Sequence, residues 1–220
     1  MYDKMFREAF TFWDKLSEEE SESLLGGSLE TEYRRGEVIY CSETECKGIF
    51  LVLSGSMRVY IVSEEGREVT LFRVYGGESC VLTASCLLEA IQFEVIIEAV
   101  EEVRAVLIPV AVLHPVMNVN PYVELYMYKK AAERFSDVVW TMQQILFMGA
   151  DRRVAIFLWD EMLRQKRHSL RITHDEIAKN IGSAREVVTK VLKYFAQEGV
   201  LALGRGKVEI VDKLRLQEYL

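Results

Sequence analysis

The stretch Ile172 to Val200, ITHDEIAKNIGSAREVVTKVLKYFAQEGV, leaves the chain few ways to fold. Thr173 with Glu176 three residues on is a capping box, so a helix is expected to start at His174. Its apolar residues Ile177, Ala178 and Ile181 share one face, and Gly182 stops it. Ser183 with Glu186 reads as a second capping box directly after. Two helices joined by so short a glycine turn must cross steeply, which is helix-turn-helix geometry. In the second helix Val188, Val191, Leu192 and Phe195 form the inward stripe, with Arg185, Glu186, Thr189, Lys190 and Lys193 opposite. A helix that reads DNA needs that division. Val200 to Leu203 and Lys207 to Val211 then read as two strands around Gly204-Arg205-Gly206, a wing that sets Arg205 and Lys207 beside a phosphate. Such a helix pair also occurs in ordinary helical proteins, so charge has to be weighed with it.

The formal net charge of −7 argues against nucleic acid when taken alone. Its distribution reverses that. Residues 150–220 hold 14 basic and 10 acidic side chains, net +4, while the rest of the chain holds 13 and 24, net −11. A basic end on an acidic body fits a polyanion partner; the bland alternative is variation between two solvated surfaces.

From about residue 29 to 110 short apolar runs alternate with turns. Ile49 to Leu53 precedes Ser54-Gly55, Met57 to Val62 precedes Glu64-Glu65-Gly66, and Val69 to Val74 precedes Gly76-Gly77. Phe93 to Val100 and Val103 to Ile108 follow. This spacing predicts an antiparallel sandwich or small barrel. Ahead of it, Phe6, Phe10, Trp13 and Leu16 recur at helical spacing. Pro115 and Pro121 mark a break, after which no Gly or Pro interrupts the chain to Met148. Within that stretch Leu125, Tyr128, Ala132, Phe135, Val139, Met142 and Leu146 alternate spacings of three and four, a heptad seam. Such a helix spans about 42 Å. It either pairs with a symmetry mate as a homodimer or packs on its own domain.

Taken together the residues predict an α+β chain in three parts: an antiparallel sandwich or small barrel (1–115), a long helix (116–149) and a winged helix-turn-helix (150–220). Over nearly its whole length the chain resembles the Crp/Fnr family of bacterial regulators, which implies that the first part is an antiparallel β-roll or jelly roll and the second a dimerisation helix. The residues that carry the likeness are Arg34-Arg35-Gly36-Glu37-Val38-Ile39, Phe50-Leu51-Val52-Leu53-Ser54-Gly55, Gly66-Arg67-Glu68-Val69-Thr70-Leu71 and Ser183-Ala184-Arg185-Glu186-Val187-Val188.

That resemblance implies a transcription regulator whose DNA contacts come from Thr173, Ser183, Arg185, Glu186, Thr189, Lys190, Lys193, Arg205 and Lys207. Arg185 would pair with a guanine, Glu186 with a cytosine amino group, and Lys190 with a purine or phosphate. Arg-Glu-x-x-x-Lys is similar to the family's Arg-Glu-x-x-x-Arg reader, which implies a palindromic operator with GTGA-like half-sites; the lysine leaves one base in doubt. RNA polymerase would be a further partner if the protein activates.

The resemblance also implies an effector pocket around Gly77, Glu78, Ser79, Cys80, Leu82 and Tyr128. Cyclic-nucleotide-binding relatives follow their Gly-Glu pair with an arginine for the cyclic phosphate. Here no Lys or Arg lies between Arg73 and Arg104, and a buried unpaired phosphate costs several kcal/mol. Cyclic AMP and cyclic GMP are therefore not expected to bind. Cys41-x4-Cys46 and Cys80-x5-Cys86 contain four thiols, yet the family's oxygen sensor carries its cluster cysteines near the N-terminus, so ordinary reduced cysteines are expected rather than an iron–sulfur cluster. His114, His168 and His174 are too scattered for a metal, and no catalytic set is recognisable. No apolar run reaches the roughly 18 residues that cross a bilayer. Asp3, Lys4, Arg7 and Glu8 do not make a signal peptide, so a cytoplasmic chain is expected. The competing readings are a sensor whose winged helix binds protein, and a metal-dependent β-roll enzyme.

Overall fold

The computed structural model describes residues 2–41, 46–88 and 95–220. It divides into two compact units, residues 1–61 with 71–138, and 62–70 with 139–220.

The first begins with α1 (Asp3–Ala9), a 3-10 turn (Trp13–Lys15) and α2 (Glu18–Gly26). Ser17 and Glu20 cap α2 reciprocally, which fixes its start. Phe6, Phe10, Phe12 and Trp13 are all buried, and Phe6 meets both Phe10 and Trp13 edge to face.

Among the described residues the strands that follow are β1 (Leu29–Tyr33), β2 (Val38–Cys41), β3 (Gly48–Ser54), β4 (Ser56–Val62), β5 (Glu68–Tyr75), β6 (Ser79–Cys80), β7 (Ile96–Ala99) and β8 (Val103–Pro109). They form two antiparallel sheets, ordered β1-β8-β3-β6 and β2-β7-β4-β5. The expected strands at 49–53, 57–62, 69–74 and 103–108 are all present within a residue or two. Of the strand expected at 93–100, Phe93 and Glu94 lie outside the described residues, and Ile96–Ala99 is extended.

Strand β3 shows why its sequence is almost continuously apolar. Phe50 and Val52 point into a cluster with Val59, Ile97 and Ala105, whereas Ile49 and Leu51 join Phe6, Trp13 and Val106 on the other face. A strand buried on both faces cannot alternate. At the β3–β4 turn Gly55 has φ +81°, and a Cβ there would stand 2.2 Å from the Glu102 carbonyl oxygen. Neither the space nor the backbone admits a side chain.

Helices α3 (Val110–Val119) and α4 (Pro121–Phe147) come next. Pro115 does not mark a break as expected; it lies inside α3, and the chain turns at Asn120. The Asn120 side chain is what makes the turn there: its Oδ1 accepts from the Tyr122 N–H, and its Nδ2 donates to the Lys15 carbonyl. Pro121 opens α4 as expected.

Cys46 and Cys86 are not reduced but joined in a disulfide, with Cα atoms 6.1 Å apart. The fold supplies a pairing that a separation of 40 residues hides. Cys80 is free and buried, where desolvation pushes its thiol pKa up, and the side chain of Cys41 lies outside the described residues. Among the described residues no group of three or more His, Cys, Asp or Glu could hold a metal ion, and no helix is long and apolar enough to cross a membrane.

The second unit contains α5 (Ala150–Gln165), β9 (Ser169–Leu170), α6 (His174–Ile181), α7 (Arg185–Gln197), β10 (Leu201–Gly204), β11 (Lys207–Ile210) and α8 (Lys213–Gln217). Val154 and Leu158 of α5, Ile177 of α6, and Val188, Leu192 and Phe195 of α7 build one core with Val208. Strand β9 pairs with β11 and makes the wing a three-stranded sheet, ordered β10-β11-β9.

Candidate nucleic-acid interface

Helix α6 begins as its capping box dictates. Thr173 Oγ1 accepts from the Glu176 N–H at 3.2 Å, and the Glu176 carboxylate accepts from the Thr173 N–H at 2.7 Å. Gly182 then takes φ +61°, the left-handed conformation that ends helices. The second capping box does not form. Ser183 is spent on closing α6, its N–H donating to the Ala178 carbonyl at 3.0 Å. Ala184 therefore becomes the N-cap of α7, without a side-chain cap.

The Ile181–Gly182 turn is held by cations that the sequence reading passed over. Arg153 Nη1 donates to the Ile181 carbonyl at 2.7 Å, and the Arg67 guanidinium donates to the Gly182 carbonyl. Guanidinium groups at a helix C-terminus meet its unsatisfied carbonyls and the negative end of its dipole. A signal existed for Arg153: it sits near the start of α5, where a cation is unfavourable unless it serves something else.

Helix α7 divides as its pattern requires. Val188, Leu192 and Phe195 are fully buried, and Val191 is half-buried. Arg185, Glu186, Lys190 and Lys193 are exposed, and Thr189 is half-buried. Since χ1 preferences tilt helical side chains toward the N-terminus, Arg185 and Glu186 reach beyond the helix start. Thr189 is not free on this face: its hydroxyl lies 3.0 Å from His174 Nδ1, tying α7 to α6. Thr173 is exposed at the start of α6, and Ser183 is half-buried between the helices. Burial, then the positive charges of Arg185 and Lys193, hold the His174 imidazole below its ordinary pKa.

The wing is a tight hairpin with Arg205-Gly206 at its tip and Gly206 at φ +65°. Arg205 and Lys207 are both exposed. Lys207 Nζ, however, rests 2.7 Å from the Glu209 carboxylate, so its charge is already matched within the wing. Arg205 is the better anion donor.

The other expected site residues lie in the first unit and along α4. Gly77, Glu78 and Ser79 turn into β6, with Cys80 and Leu82 buried in the core between the sheets. Tyr128 does not join them: it is exposed on α4, and Tyr126 takes the inward place, its hydroxyl 2.6 Å from Ser79 Oγ. Burial pushes the Tyr126 pKa up to about 12, so it stays a neutral hydrogen-bonding phenol. Arg134, also on α4, pairs with Glu78 at 3.3 Å and Asp137 at 3.0 Å. On the seam, Leu125, Tyr128, Ala132, Phe135, Met142 and Leu146 are exposed and Val139 is half-buried. Phe135 is 69 % and Leu146 65 % exposed, so a single copy leaves a row of large apolar side chains uncovered along the seam.

Comparison with known proteins places both halves. A Crp-like helix-turn-helix domain matches residues 152–219, and a cyclic nucleotide-binding domain matches residues 30–120. A solved Crp/Fnr-family structure from Eubacterium rectale is 38 % identical, with a TM-score of 0.91 over 96 % of this chain and 97 % of that one. The transcriptional regulator SdrP of Thermus thermophilus is 29 % identical over 175 residues, covering 77 % of this chain and 82 % of that protein. The cyclic AMP receptor protein of the same organism is 29 % identical over 187 residues, 84 % and 85 % of the two.

Proposed function

This chain belongs to the Crp/Fnr family of DNA-binding transcription regulators, and from that premise we propose that it works as a cytoplasmic homodimer on a palindromic operator with GTGA-like half-sites. The observation that carries the reading is the exposure of Arg185 and Glu186 at the N-terminal end of a helix whose opposite face is buried. Arg185 offers two parallel donors to guanine O6 and N7; Glu186 accepts from a cytosine amino group; Lys190, one turn on, takes a purine edge or a phosphate. The exposed seam of α4 is the face on which two copies meet, so that two α7 helices read successive half-sites.

The effector is a small molecule other than a cyclic nucleotide. One relative is named for cyclic AMP, but residues 74–103 here contain no Lys or Arg. The cation that pairs with Glu78 is Arg134, which also pairs with Asp137. A cyclic phosphate arriving there would compete with two carboxylates for Arg134. Micromolar cyclic AMP or cyclic GMP should give no heat in a calorimetric titration, and a clear isotherm would overturn this part.

Selection of bound duplexes from a random pool tests the main reading, followed by mobility shifts of Arg185→Ala and Glu186→Ala. Each variant should lose discrimination worth roughly 1–3 kcal/mol at its own base pair. Unchanged binding by both variants would refute the assignment. Binding that ignores salt would instead favour a winged helix that contacts protein, since phosphate contacts release counterions. RNA polymerase is the further partner if the bound dimer activates.

A further inference from the structure

We propose that Cys46 and Cys86 form a reversible thiol–disulfide site through which the redox state of the β-roll sets how firmly the start of α4 is seated. The two cysteines belong to segments already registered without the bridge. The Lys47 N–H donates to the Thr83 carbonyl at 3.0 Å, and Thr83 Oγ1 donates to the Gly48 carbonyl at 2.6 Å. Opening the bond therefore leaves the two sulfurs as neighbours, so closure recurs within the folded chain. Access is unequal: Cys86 is exposed, Cys46 is half-buried, and the Cys86 N–H points at Cys46 Sγ from 3.2 Å. That N–H is placed to donate to the Cys46 sulfur as it leaves. An incoming thiolate strikes the exposed Cys86 sulfur and expels Cys46 as the thiolate.

The oxidant is a low-molecular-weight disulfide. The Cys86 thiolate attacks one of its sulfurs, forming a mixed disulfide and releasing one small thiolate. The Cys46 thiolate then attacks the Cys86 sulfur and releases the second. Two protein thiols and one small disulfide become one protein disulfide and two small thiols, which take up the two protons. Nothing else is consumed.

What the bridge holds gives it consequence. Cys86 lies in the 3-10 helix Leu82–Leu87, directly after Ser79 and Cys80. Val81, Ala84 and Leu88 around it are buried in the same cluster as Val123, Tyr126 and Met127 of α4. Ser79 bonds Tyr126 directly, and Ser85 Oγ lies 3.3 Å from the Tyr40 hydroxyl. A bridge that fixes this segment also fixes the surface on which α4 begins.

The full chain equilibrated with oxidised or reduced glutathione, alkylated and mapped by mass spectrometry, tests the site. Cys46 and Cys86 should be linked in the first and alkylated together in the second, with Cys80 unlinked in both. Hydrogen exchange on the same samples should be at least about threefold faster for residues 80–88 and 123–127 once reduced. Cys86→Ser should hold the faster rate under both conditions. Free thiols at both positions under oxidised glutathione, a bridge that excess reduced glutathione cannot open in the native chain, or exchange indifferent to redox state would each overturn the proposal. None of these readouts uses DNA, so the operator assignment stands or falls separately.

Discussion

His174 Nδ1 and Thr189 Oγ1 lie 3.0 Å apart, joining the first turn of α6 to the helix that carries Arg185 and Glu186. Burial and the nearby Arg185 and Lys193 hold the imidazole below its usual 6.5. The unfolded chain therefore takes up this proton more readily than the folded one. The stability linked to it is complete above pH 6.5 and is lost as pH falls through the lowered folded value. In an NMR titration the His174 ring should titrate below 6.5 in the free protein and move upward when DNA phosphates arrive. A free-protein value at or above 6.5 would contradict the packing.

The wing divides its two cations. Arg205→Ala should weaken DNA binding evenly across sequences and reduce the log–log salt slope by about 1. Lys207→Ala should do less, because Glu209 already balances that ammonium. Fluorescence anisotropy across a salt series reads both; equal slopes for wild type and Arg205→Ala would remove the wing from the interface.

Phe135→Glu should halve the mass in sedimentation equilibrium with little change in the circular dichroism of each chain. The ring is 69 % exposed in a single copy, so the charge costs the protomer little but stands on the seam between copies. A variant that stays dimeric would place the interface elsewhere.

Thr173→Ala should cost about 1 kcal/mol in urea denaturation, the usual loss for an N-cap. Ser183→Ala should be close to neutral, because Ala184 is the cap of α7. Equal losses at the two positions would restore the second capping box.

Tyr126→Phe should destabilise the first unit by about 1–3 kcal/mol, since Ser79, itself buried, loses the phenol 2.6 Å away. Tyr128→Phe should spare that contact, which the Tyr128 hydroxyl does not make. Thermal melts of the two variants separate them.

Much of this molecule could be read from periodicity. The capping box at Thr173, the stop at Gly182, the inward stripe Val188–Leu192–Phe195 and the seam from Leu125 to Leu146 are local patterns. Each is imposed by a helical repeat or by one glycine conformation. The turns after β3, β4 and β5 were legible for the same reason, as Gly55, Gly66 and Gly77 all take positive φ.

What depended on pairing across the chain was not legible. Tyr126 and Tyr128 have the same chemistry two residues apart, and a seam drawn through Tyr128 says nothing about which phenol meets Ser79. Ser183 fits a cap motif, but the backbone bond to Ala178 had a prior claim on it. Strand β9 is two residues long, too short to carry any pattern, and exists because β11 pairs with it.

From the sequence alone followed the order of the parts, the apolar seam of α4, and the division of α7 into a buried and an exposed face, because helical periods and glycine conformations are set by near neighbours. Tertiary structure alone decided that Cys46 meets Cys86, that Arg153 and Arg67 brace the Gly182 turn, and that Arg134 answers Glu78. Those partners lie from about thirty to over a hundred residues apart, and contact at that range is fixed by how elements pack, which no short stretch of chain encodes.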